Sequence, residues 1–113
     1  MTDIQDIIKK LVDFRDQRNW SQFHNVKDLA LALSIEAGEL NELFLWKNKE
    51  QLEDVSEERI REELADVFAY AFLLSEKYNF DVKEIILEKI RKNHIKYPVE
   101  HSKNSAKKYN ELK

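Results

Sequence analysis

The chain has 113 residues, of which 36% are charged and 42% hydrophobic, and it carries a formal net charge of -3. That is the length of one domain, too apolar for intrinsic disorder and too acidic for an ordinary binder of nucleic-acid polymers. It has no cysteine, one Gly and one Pro, which removes disulfide and thiolate chemistry, suits a cytoplasmic setting, and favours helices over turn-rich sheets.

The first predicted helix runs from Asp3 to Arg18, where Ile4, Ile7, Ile8, Leu11 and Phe14 recur at helical spacing. Thr2 with Gln5 reads as its capping box. Met1 to Lys10 already holds Asp3, Asp6, Lys9 and Lys10, so it lacks the apolar core of a signal peptide. No apolar run reaches bilayer length, and no membrane partner is expected. Asn19 to Phe23 forms a turn pinned by Trp20 and Phe23. The second helix spans Val26 to Trp46, capped by Asn25, with an apolar stripe of Leu29, Leu33, Leu40 and Leu43. After the polar stretch Lys47 to Val55, Ser56 caps a third helix, Glu57 to Tyr78. Its middle, Leu64 to Leu74, is apolar almost all round and is expected to be the central buried helix. Asp81 with Glu84 opens a fourth helix that ends near Tyr97, stopped by Pro98. The remaining segment, 98–113, is a basic tail with Lys103, Lys107, Lys108 and Lys113. The expectation is a single all-α domain over 1–113 with a four-helix core.

Four acids violate this pattern. At about 100° per residue, Glu36 falls in the angular sector of Leu29, Leu33, Leu40 and Leu43. Glu39 lies one turn on, beside the same stripe. On the third helix Asp66 is the only charged residue between Leu64 and Leu74, and Glu63 precedes it by one turn. A bare carboxylate in apolar surroundings costs several kcal/mol unless paired, protonated or metal-bound. If the two helices pack face to face, the pairs Glu36–Glu39 and Glu63–Asp66 converge, and four hard oxygen ligands without His or Cys suit Mg²⁺ or Mn²⁺. Surface Glu pairs at this spacing are also common, as Glu57, Glu58 and Glu62 illustrate. A di-iron bundle would want Glu-x-x-His, and His94 has Arg91 three residues before it. Gly38 leaves room for a close neighbour.

Asn93 is a second violation, because it shares the stripe of Val82, Ile86, Ile90 and Tyr97. It either contacts a ligand or ties two helices together. Lys89 and Lys96 flank that stripe and are either phosphate contacts or solvated surface groups.

These residues resemble the MazG-like nucleotide pyrophosphohydrolases, whose pattern Glu-x-x-Glu, a gap, then Glu-x-x-Asp is matched by Glu36, Glu39, Glu63 and Asp66. The likeness extends through Phe14-Arg15, Arg18-Asn19-Trp20, Gln22-Phe23-His24, Trp46-Lys47, Lys92-Asn93, Lys96-Tyr97-Pro98 and Ser105-Ala106-Lys107-Lys108-Tyr109. The resemblance implies a helix-paired homodimer or homotetramer with active sites at subunit interfaces. It implies Mg²⁺ at the acidic cluster and hydrolysis of a nucleoside triphosphate at the α-phosphorus, in nucleotide-pool house-cleaning. It also implies a base pocket at Trp20, His24 and Trp46. Tyr70 lines that pocket or packs, and Glu36 or Glu39 is either a ligand or the base toward water. Arg15 and Arg18 are expected to pair with the cluster's outer shell. The alternatives are a metal-dependent nucleotide sensor without turnover and a helical adaptor.

Overall fold

The computed structural model describes residues 2–107. Four long helices form where the caps predict them: α1 Asp3–Gln17, α2 Val26–Glu42, α3 Glu57–Lys77 and α4 Val82–Lys96, followed by the one-turn α5 Val99–Ser102. Each of the four long ones starts on a side-chain oxygen that accepts from the third helical N–H. Thr2, Asn25, Ser56 and Asp81 take the N–H of Gln5, Asp28, Arg59 and Glu84. At Thr2 the Gln5 side chain closes the capping box. Short 3₁₀ turns fill Trp20–Phe23 and Lys49–Asp54, and Asn48 with Gln51 forms a further capping box at the second.

The expected second helix is four residues shorter than its pattern suggested. After Glu42 the bonds tighten, with Phe44 N–H donating to Asn41 and Leu45 N–H to Glu42. Trp46 then takes a left-handed φ of 63° and ends the turn. Such a backbone costs a bulky residue about 1–2 kcal/mol.

By its internal contacts the chain divides after Asn79 into two units. In the first, α2 packs along α3, and α1 packs on α3 less extensively. The covered side of α2 is the predicted stripe: Leu29 is fully buried, and Leu33, Glu36, Leu40 and Leu43 are half-buried. On α1 the most buried residue is Arg15, whose Nε donates to Asp16 Oδ1 at 2.9 Å and Nη1 to Glu76 Oε2 at 3.1 Å. Arg15 thus ties α1 to α3 and is not paired with the acidic cluster. Arg18 lies over the Phe14 ring at 3.6 Å and donates to the Phe14 carbonyl. Both arginines therefore depart from the expected outer shell, because nearer partners satisfy them.

The middle of α3 is less buried than its composition predicts. Leu73 is buried, but Phe68 is 53% exposed and Leu64 is exposed. Among the described residues α2 and, less extensively, α1 are its main cover within this unit, and apolar side chains on α3 stay exposed. There Ile7, Leu11, Ala65, Phe68, Ala69 and Phe72 line a depression of about 390 Å³. The second unit carries α4 and α5, with Val82 buried and Asn93 half-buried. No helix among the described residues is long and apolar enough to cross a membrane. Lys108 and Lys113 of the basic tail, and the Lys108-Tyr109 part of the tail motif, lie outside the described residues.

Candidate functional site

Two turns of α2 and one of α3 build the site. Glu36 and Glu39 project from α2, and Glu63 projects from α3 where the two helices pack. One carboxylate oxygen of each lies within 4.8 Å of the others. The packing predicted from the stripe thus brings acids of both motif halves together. Asp66 is exposed and stands outside this trio. Its charge still reaches the site, since it helps raise the proton affinity of Glu36, Glu63 and Tyr70.

Like charges so close hold protons tightly. Burial, then the hydrogen bond with Glu39, then the charges of Glu39, Asp66 and Glu63 push the Glu36 carboxyl up to about 7. Glu63 is raised by burial, by its hydrogen bond with Glu39 and by the charges of Glu39 and Asp66, against a lowering from Arg59. Tyr70 is raised by burial and then by the charges of Glu36, Asp66 and Glu39.

The donor set fits a hard divalent cation. All three groups are carboxylates, and Glu36 Oε2 and Glu63 Oε2 are buried with no hydrogen-bond partner. An orphaned buried carboxylate oxygen is costly, and a cation bound by oxygen ligands removes that cost.

A cavity of about 740 Å³ is lined by Glu39 and Glu63 of the trio and by Trp46. Its size is that of a small-molecule site. Trp46 is 90% exposed, so its ring faces are open to a ligand. Trp20 and His24 are not among the described residues lining this cavity. Trp20 packs edge-on to Phe14 at 5.8 Å. His24 is half-buried with Nδ1 unpartnered, and burial, then Arg15 and Lys77, lower its pKa. Lys89, Asn93 and Lys96 belong to the second unit, where Asn93 lines a small depression with Ile90, His94 and Tyr97. An added Cβ at Gly38 would meet nothing within 4 Å, so no described neighbour makes the close approach expected there.

Sequence reasoning passed over Arg59, which also lines the main cavity with Lys47. The signal was there: Arg59 precedes Glu63 by four residues and so shares its helix face.

The sequence model of the MazG-like family matches residues 31–112. The dCTP pyrophosphatase 1 of Bos taurus is 38% identical over 114 residues, covering 96% of this chain and 68% of that protein. The human dCTP pyrophosphatase 1 is 34% identical with almost the same coverage. Among solved structures, a pyrophosphatase from Archaeoglobus fulgidus superposes with a TM-score of 0.81 at 32% identity, over 87% of this chain and 94% of that one.

Proposed function

The chain belongs to the MazG-like family and is a nucleotide pyrophosphatase, and we propose that it works with Mg²⁺, cleaving (deoxy)nucleoside triphosphates to monophosphate and pyrophosphate. The observation that carries this reading is the convergence of Glu36, Glu39 and Glu63, two of which, Glu39 and Glu63, line a cavity large enough for a nucleotide. Glu36, Glu39, Glu63 and Asp66 are the proposed ligands, with Mn²⁺ an acceptable substitute. When bound, the cation offsets the charge of the phosphate oxygens and acidifies the attacking water.

The chain's own groups do the rest. Glu36 or Glu39 accepts a proton from that water as it attacks the α-phosphorus. The open indole of Trp46 stacks on the base, worth about 1–3 kcal/mol. Tyr70, which feels the charges of Glu36, Asp66 and Glu39, is a further candidate for contact with the substrate. Trp20, His24, Lys89, Asn93 and Lys96 complete base and phosphate binding in the assembled protein. That assembly is a homodimer or homotetramer, supported by the apolar side chains left open on α1 and α3.

The test is a panel of ribo- and deoxyribonucleoside triphosphates with and without Mg²⁺, with dCTP as the first arm because the relatives are named for it. Monophosphate and pyrophosphate should form only with the metal. Release of orthophosphate would place the cut at another bond, and Mg²⁺ uptake with nucleotide but no product would favour a sensor.

A further inference from the structure

A triphosphate entering a cavity walled by Glu39, Glu42, Asp54 and Glu63 meets mostly negative charge. A cation held by the carboxylates would offset only the phosphate oxygens close to it. The two phosphoryl groups that leave together still need a positive partner of their own. Only Lys47 and Arg59 supply one among the described residues lining the cavity.

We propose that Arg59 grips the terminal phosphoryl groups of the substrate and stabilises the pyrophosphate as it departs, a role that rests on the pyrophosphohydrolase reading given above. Four observations support it. Arg59 is the third residue of α3 and stands four residues before Glu63, so its side chain rises from the same face as a cluster acid. Its backbone is fixed, because its N–H donates to the Ser56 cap at 3.3 Å. Its charge is felt at Glu63, whose proton affinity it lowers, but no described carboxylate closes on the guanidinium as an ion pair, although four acids line the same cavity. Finally, Val55 and Ser56 on the cavity wall mark the start of α3. The positive end of that 21-residue helix reinforces the guanidinium toward an anion.

The chemistry matches the residue type. Water's oxygen bonds to the α-phosphorus as the bond from that phosphorus to the α,β-bridging oxygen breaks. The electron pair leaves on the bridging oxygen with pyrophosphate, and the water's proton passes to a cluster carboxylate. Negative charge grows on the leaving group during this step. A planar guanidinium takes two phosphate oxygens at once, which an ammonium cannot do in fixed geometry. Lys47 is a second charge on the same wall but lacks that fork.

The experiment compares wild type with Arg59→Gln, Arg59→Lys and the control Arg61→Gln at saturating Mg²⁺. Residues 59 and 61 are about 200° apart around the helix, so Arg61 points away from Arg59's face. Arg59→Gln should lower kcat about 100-fold, the scale seen for loss of one charge-stabilising donor. It should weaken product inhibition by pyrophosphate about tenfold or more while leaving inhibition by the monophosphate unchanged. Arg59→Lys should recover part of both, and Arg61→Gln should match wild type. Helical circular dichroism and Mg²⁺ affinity by calorimetry should stay as in wild type. Unchanged pyrophosphate inhibition in Arg59→Gln, or equal losses for pyrophosphate and monophosphate, would overturn the assignment while the enzyme reading stands. So would a matching loss of Mg²⁺ affinity, which would make Arg59 a support for Glu63 only. A wild-type protein that releases no pyrophosphate from any triphosphate would remove both the enzyme reading and this role.

Discussion

Glu39 is the most exposed acid of the trio, lines the cavity with Glu63, and raises the proton affinity of both Glu36 and Glu63. Glu39→Ala should therefore abolish turnover while leaving the helical circular dichroism near wild type; retained activity would remove Glu39 from the chemistry. Glu36 makes a pH prediction. Its carboxyl goes from an ordinary 4.5 to about 7 in the folded chain without metal. Between those values the folded state keeps a proton that the unfolded state has lost. Stability without metal should therefore fall as pH rises through that window and level off above it. Mg²⁺ binds the ionised form, so its addition should raise Tm more at pH 8 than at pH 5.5. Equal gains at both would show that the cluster does not hold the ion. These residues were legible in the sequence because an acid on an apolar stripe breaks a pattern that otherwise holds. Trp20 and His24 had no such pattern, and a loop residue's neighbours depend on the turn that carries it.

The helices themselves were readable wherever a cap stood at a fixed interval. Thr2, Asn25, Ser56 and Asp81 each bond the N–H three residues on, a short-range relation that sequence displays directly. The end of α2 was not readable, since Leu43 to Trp46 continues an apolar helical pattern and stops only through the backbone reversal at Trp46. Nor was the tie between α1 and α3 visible. Arg15 finds Glu76 across 61 positions, and nothing local marks either residue. That tie predicts a cost. Arg15 is 7% exposed, while the Glu76 side chain is 34% exposed and partly screened by water. Arg15→Ala should lower unfolding stability by about 1–3 kcal/mol in urea titration, at unchanged m-value. A loss within error would mean that solvent replaces the pair without penalty.

At the level of the whole protein, the described core is thin for a chain with 42% hydrophobic residues. Ile7, Phe14, Leu31, Ile35 and Phe68 all stay exposed within one subunit. The alternation of apolar and polar positions shows that a helix has a face to bury. It does not show whether the same chain or a second copy covers it, which is why the middle of α3 looked central and proved open. Association should make thermal stability rise with protein concentration. Phe68→Glu, placed on the open depression, should shift the sedimenting species toward monomer with little change in helix content. A wild type that already sediments as a monomer would refute the pairing. The two indoles offer a further consequence. Trp46 is 90% exposed at the cavity, whereas Trp20 is 44% exposed and meets the Phe14 ring edge-on, with the Arg18 guanidinium 5.9 Å from its centroid. The wild-type emission should therefore contain a long-wavelength component that iodide quenches and that Trp46→Phe removes. Nucleotide addition should shift that emission to the blue and shield it, giving an optical titration that needs no turnover.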